Sequence, residues 1–205
     1  MGNRKPILCI VAGPNGSGKT STTELLLQNE WTEGSVYINP DNIAQNLFGD
    51  WNSPELVLKA AKYATDQRYE CLKNKVDFVF ETVFSSKEKV DFVKKAHDEG
   101  FFIRFFFVCT ENPEINVKRI FSRYIQGGHE VPMSKVVSRY YKSLLNTKEI
   151  IDIVDRAYIY DNSVDNQLPV LLYRTTLGIF RTVSGKIEKK YVDNIPEWTK
   201  VILTE

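Results

Sequence analysis

The chain has 205 residues, 42% hydrophobic and 26% charged, which is enough for one substantial core and short for two. Its 27 lysines and arginines against 26 acids leave a net charge of +1, excluding a global field that would draw it onto nucleic acid or an anionic membrane. Cys9, Cys71 and Cys109 are widely spaced and odd in number, which argues against a disulfide framework and for buried, reduced thiols in a cytoplasmic protein. No stretch approaches the roughly 20 apolar residues of a membrane span, so a single domain over residues 1–205 is expected.

Residues 7–12 read as a buried strand that feeds directly into Gly13, Pro14, Asn15, Gly16, Ser17, Gly18, Lys19 and Thr20. That run satisfies GxxxxGK[ST] at every fixed position. Glycines let backbone N–H groups wrap phosphates, a lysine reaches the outer phosphate groups, and the threonine hydroxyl suits Mg²⁺. A helix predicted over 21–28, opening on Ser21, turns its positive end toward the bound anion. ATP and Mg²⁺ are therefore the expected cofactors. Residues 35–39 form a short strand with Pro40 and Asp41 just past its carboxyl end, and apolar spacing predicts a helix over 54–74.

Residues 77–82 are a third strand, 86–99 a helix with Ser86 as its cap and Gly100 as its stop, and 101–109 a nearly continuous apolar strand. Continuous rather than alternating apolar strands imply burial on both faces, hence a parallel sheet covered by helices. Asn112 and Pro113 open another helix running to about residue 124. A loop follows, then a helix over about 134–146 and a last core strand over 157–160; residues 169–205 suggest appended hairpin strands. The expected fold is a doubly wound α/β phosphate-loop domain with a five-stranded, mainly parallel sheet, a lid over 125–133 and a C-terminal β extension. In such a sheet ligands sit outside the carboxyl ends of the strands, where Lys19, Asp41, Glu81 and Asp161 all fall.

Asp41 is placed to accept a proton from an incoming hydroxyl, and it also suits capping of a helix starting at Asn42. Glu81 ends a mostly apolar strand as a Walker B carboxylate does, which fits an outer-shell metal contact or a grip on a substrate hydroxyl. Arg123 and Arg139 flank the Gly127-Gly128 bend and suit neutralisation of charge on a transferring phosphoryl group. Arg119 is expected to be structural, His129 to hydrogen-bond within its loop, and Arg104 to pair with an acid at a sheet end or to snorkel outward. A switch NTPase is one alternative, though the chain carries no LSGGQ-like signature. A polynucleotide-end kinase is another, with a groove of Arg119, Arg123, Lys135, Arg139 and Lys142.

Taken together, AGPNGSGKT, the strand-end INPD, the ET after the third strand, RYIQGGHEVP followed by SRYYKSL, and YDNS resemble the zeta-toxin family of phosphate-loop kinases from Ile7 to Ser163. The resemblance implies phosphoryl transfer from ATP to a hydroxyl of a small molecule, a UDP-amino sugar such as UDP-N-acetylglucosamine being the acceptor of characterised members. It implies Lys19 and Thr20 as phosphate and Mg²⁺ residues, Asp41 as base, Arg123 with Arg139 as the charge-stabilising pair, and Asn162 near the adenine. It also places Glu81, Thr82 and His129 on the substrate side, and implies an antitoxin protein as partner. Val83 stands where relatives commonly carry Thr, and Ser85 where the toxins carry a basic residue.

Overall fold

The computed structural model describes residues 4–49, 53–127, 131–181 and 195–203. Its centre is β1 (Ile7–Ala12), whose six residues are apolar because both faces of the strand are covered. The neighbouring strands are β2 (Val36–Ile38), β3 (Phe78–Thr82), β4 (Phe102–Cys109) and β5 (Arg156–Asp161), followed by β6 (Val170–Thr176) and β7 (Ile179–Arg181). The sheet runs β2-β3-β1-β4-β5-β6-β7, with the first five strands parallel and the last two antiparallel. The expected five-stranded parallel core is present, and the C-terminal hairpin continues it as one seven-stranded sheet. The anticipated later strand around residues 189–192 lies outside the described residues.

The helices are α1 (Lys19–Leu27), α2 (Pro40–Phe48), α3 (Pro54–Asn74), α4 (Lys87–Asp98), α5 (Pro113–Ile125), α6 (Met133–Lys148) and the short α7 (Glu197–Lys200). Helices α3, α4 and α6 bury Ala64, Leu72, Val90, Phe92, Val93, Tyr140 and Leu144 against one face of the sheet, packed on Phe78, Phe80, Phe105 and Phe107. On the other face, Leu26 of α1 packs with Val11, Val79 and Phe106. All three cysteines are buried and free, and burial pushes the Cys9 and Cys109 thiols up to about 12, so they stay protonated.

Two polar residues inside this core depart from simple patterning. Arg68 on α3 is 2% exposed, lies between the rings of Phe80 and Phe92 at 5.1 and 5.5 Å, and donates to Glu88 at 3.2 Å. Arg104 forms no ion pair among the described residues. Its guanidinium stacks 4.4 Å from the Trp31 ring and donates to the Tyr158 hydroxyl at 3.3 Å, correcting the expectation of a carboxylate partner. Aromatic faces and a long apolar stem make that half-buried position tolerable without an ion pair. Among the described residues no helix is long and apolar enough to cross a membrane.

Candidate functional site

The site grows from the point where β1 leaves the sheet. Ala12 sits level with Thr82 of β3 and Phe107 of β4, so the next residue enters a gap between two strand ends. That residue is Gly13, where a Cβ would stand 2.0 Å from the Val108 carbonyl oxygen; at Gly18 (φ +89°) it would stand 2.1 Å from Asn162 Nδ2. Only glycine fits such close approaches.

Surrounding side chains hold the loop by its carbonyl groups. Asn116 Nδ2 donates to the Asn15 carbonyl at 2.7 Å, Asn162 Nδ2 to that of Ser17 at 2.8 Å, and Arg119 to that of Gly16 at 3.4 Å. The Gly13 N–H donates to the Thr82 carbonyl at 3.3 Å. Helix α1 then starts at Lys19 with no acid in its first turn and no side-chain cap from Gly18. Its first amide donors and the positive end of its dipole are left for an anion. Ser17 Oγ is fully buried and without a partner among the described residues. An orphaned hydroxyl, a side-chain-free cradle and an uncapped helix start together fit a polyphosphate.

Lys19 Nζ donates to the Pro14 carbonyl at 2.9 Å. Burial lowers its ammonium to about 8; the negative charges of Glu81 and Asp41 oppose that shift, and Arg123 adds to it. Glu81, Asp41 and Arg123 are thus the charges that Lys19 feels most among these side chains. A consequence is testable. A bound polyphosphate favours the charged ammonium and so raises its pKa, which makes binding take up a proton at and above pH 8. ATP affinity is therefore expected to fall as pH rises from about 8, by at most tenfold per unit. Calorimetry in two buffers of different ionisation enthalpy reads the proton uptake, which is expected to vanish at about pH 6 and in Lys19→Met.

Opposite the loop, Glu81 at the end of β3 is buried at 8% exposure and held from three sides. Tyr37 donates its hydroxyl to Oε1 at 2.6 Å, Asn39 Nδ2 reaches the same oxygen at 3.2 Å, and Thr20 Oγ1 lies 3.5 Å from Oε2. Burial and the adjoining carboxylate push the Tyr37 phenol well above its ordinary range, so it remains a donor. The other end of Asn39 caps α2: its Oδ1 accepts from the N–H groups of Asp41 and Asn42 at 2.9 and 3.4 Å. One amide thus fixes the relation between Glu81 and the first turn of α2, which carries Asp41.

Asp41 does not cap a helix starting at Asn42. The helix begins at Pro40 with Asn39 as its cap, and the Asp41 carboxylate is exposed at the first turn and forms no ion pair among the described residues. Thr20 and Glu81 offer hard oxygens beside the cradle, which suits Mg²⁺, an ion that keeps most of its waters and takes one or two protein ligands plus phosphates. Among the described residues no group of three His, Cys, Asp or Glu gathers as a denser metal cluster.

Arg139 of α6 donates to Asn15 Oδ1 at 3.2 Å and so touches the loop directly, while Arg123 stands exposed near the end of α5. Arg119 is structural, as expected: it pairs with Asp165 at 2.7 Å and steadies Gly16. Thr82 is occupied in the framework, its hydroxyl accepting from the Phe84 N–H at 3.0 Å. Asn162 braces Ser17, and Ser21 is exposed on the first turn of α1. His129 lies outside the described residues, as does Gly128 of the predicted lid. Sequence reasoning missed Tyr37, Asn39 and Asn116. Asn39 carried a signal, the same Asn-Pro pair that marks the start of α5.

The zeta toxin family profile matches residues 1–176 of this chain. The chain belongs to the zeta toxin family. An uncharacterized protein of Haemophilus influenzae is 28% identical to it over 141 residues, covering 68% of this chain and 94% of that protein. Among solved structures, AvrRxo1-ORF1:AvrRxo1-ORF2 with ATP superposes with a TM-score of 0.67 at 16% identity. That match covers 98% of this chain, which spans only 65% of the AvrRxo1 chain's length. The PezAT chromosomal toxin-antitoxin system of Streptococcus pneumoniae superposes with a TM-score of 0.61 at 15% identity, covering 98% of this chain and 88% of that one. At these identities the two structures establish a shared fold. Family membership spans both the cradle of residues 13–20 and the carboxylates opposite it.

Proposed function

We propose that this member of the family is an ATP-dependent kinase that transfers the γ-phosphoryl group to a hydroxyl of a small molecule, with a UDP-amino sugar such as UDP-N-acetylglucosamine as acceptor. The observation that supports this reading is the double use of Asn39, whose Nδ2 holds Glu81 beside Thr20 while its Oδ1 caps the turn of α2 that carries Asp41. A cradle with a free carboxylate opposite it is what an alcohol acceptor needs.

In this reading the residues 13–20 wrap the triphosphate and Lys19 places its positive charge on the outer phosphates. Thr20, with Glu81 behind it, would hold Mg²⁺, which would supply neutralisation of charge on the phosphate oxygens. The Asp41 carboxylate accepts the acceptor's hydroxyl proton as the new O–P bond forms and the bond to the ADP oxygen breaks. Arg123 and Arg139 offset the negative charge that spreads over the transferred group. A protein partner of the antitoxin class is proposed from the family and from the PezAT likeness.

The test is an acceptor screen with γ-labelled ATP and Mg²⁺, read by product mass. A monophosphorylated sugar nucleotide is the expected product. ATP hydrolysis with no labelled acceptor across a broad panel of alcohols would refute the kinase reading. Growth arrest on expression, abolished by Asp41→Asn, is the expected cellular counterpart.

A further inference from the structure

The two faces of the sheet are covered unevenly, and the strand order is the reason. Connections that step rightward along β2-β3-β1-β4-β5 lay α3, α4 and α6 on one face, whereas the leftward step from β1 to β2 sends α1 to the other. The C-terminal helix joins the first face, through Trp198. On the second face, Leu26 of α1 and Trp31 of the turn at Glu30–Thr32 are the residues from outside the strands in the apolar cluster. Among the described residues no helix packs into that cluster over β5, β6 and β7.

Strand register fixes what this open face carries. Phe106, Tyr158, Arg174 and Arg181 stand opposite one another in a row across four strands, about 14 Å wide. One step toward the amino ends of β4 and β5, Arg104 stands opposite Arg156. Alternation along the strands brings Phe102, Val108, Tyr160, Thr176 and Ile179 to the same side, and none of these positions is acidic.

Two cross-strand pairs, Arg104 with Arg156 and Arg174 with Arg181, thus set like charges directly opposite, an arrangement that destabilises a sheet. None of the four arginines forms an ion pair among the described residues. Arg104 and Arg156 instead share the Phe102 ring, at 5.1 and 5.9 Å. The acids that precede β3 and β5 are engaged elsewhere: Asp77 pairs with Arg4 at 2.6 Å, and Asp155 accepts from the Ile103 N–H at 2.8 Å. A polyanion laid across the face would relieve both repulsions.

Charge alone suits an acidic peptide equally well. The rings favour a different polymer, because half-buried Trp31, Phe102 and Tyr160 are interleaved with the guanidiniums, and cations set among aromatic rings on a sheet hold phosphates and unpaired bases together. We infer that this face binds single-stranded nucleic acid, with Arg104, Arg156, Arg174 and Arg181 on its phosphates. Arg104 and Arg156 lie near the amino ends of their strands, away from the cradle at the carboxyl ends. The strand is a ligand here and not the phosphoryl acceptor, so the inference does not rest on the kinase reading.

The test is fluorescence anisotropy of labelled oligothymidylate and oligouridylate of about 15 nucleotides, titrated with the full chain while a non-hydrolysable ATP analogue and Mg²⁺ saturate the phosphate loop. Saturable binding is expected, with a log–log salt slope of about −3 for wild type and about −2 for Arg156→Ala. A preference between the two strands identifies the natural polymer. Arg156 is exposed, so Arg156→Glu should keep the nucleotide-induced rise in Tm while binding the strand at least about tenfold more weakly. Lys142→Glu makes the same charge change on α6, which packs on the other face of the sheet, and is expected to bind as wild type.

An oligoglutamate of equal length supplies comparable charge without bases, and it should displace the strand at least about tenfold less well than unlabelled oligothymidylate. Absence of binding at low salt, or binding unaltered in Arg156→Glu, would overturn the inference. Equal loss in Lys142→Glu would place the strand elsewhere on the molecule, and equal displacement by oligoglutamate would make the face a dock for an acidic protein. Either result also sinks it. The acceptor screen continues to decide the kinase reading on its own.

Discussion

Asp41→Asn is expected to lower phosphoryl transfer by roughly 10²- to 10⁴-fold while leaving Mg²⁺-ATP binding within about twofold of wild type. The substitution keeps the shape of the side chain and removes its ability to take a proton. Backbone geometry should survive, because the cap of α2 is the Asn39 side chain bonded to main-chain N–H groups that the substitution leaves in place. The first turn of α2 loses one favourable acid at its positive end, a cost of about 0.3–1 kcal/mol. Asp41 also helps to keep Lys19 charged, so its removal lowers the Lys19 pKa further below about 8. The onset of weaker ATP binding should therefore move to lower pH in this variant. Steady-state kinetics and calorimetry across pH read both effects. A variant that binds ATP and retains most of its transfer would remove Asp41 from the chemistry.

Much of this arrangement was legible in the sequence because it depends on local chemistry. The phosphate loop needs glycines at fixed positions, and continuous apolar strands such as residues 102–109 announce burial on both faces. Helix α5 was legible through Asn112-Pro113, a cap followed by a residue with preset φ. The identical pair at Asn39-Pro40 starts α2, but there the neighbouring Asp41 reads as the cap, which sets the expected start of the helix two residues late. Long-range partnerships were not legible. Tyr37 and Glu81 are 44 positions apart, and Asn116 reaches a carbonyl 101 positions away. Of the two readings of Arg104, the acid partner fails for a related reason: Trp31 and Phe102 form a stacking site only once the sheet assembles.

Gly13→Ala is expected to abolish nucleotide binding, more than about 100-fold, and to destabilise the fold by about 3 kcal/mol. The added Cβ would meet the Val108 carbonyl oxygen at 2.0 Å and its carbonyl carbon at 3.0 Å, both main-chain atoms of β4 that cannot rotate aside. Relief would require β1 and β4 to separate just where their pairing positions the loop, at Ala12 and Phe107. A useful contrast is Gly34→Ala. Gly34 also has a positive φ, +73°, but nothing lies within 4 Å of its Cβ position, so only backbone strain of about 1 kcal/mol is expected. For a chain of this size the two costs correspond to falls in Tm of about 6–12 °C and about 2–4 °C. Thermal unfolding with ATP titration separates them: Gly34→Ala should keep its nucleotide-induced rise in Tm and Gly13→Ala should lose it. Retention of that rise in Gly13→Ala would mean that the cradle tolerates a side chain at its tightest point, and the phosphate site would have to lie elsewhere.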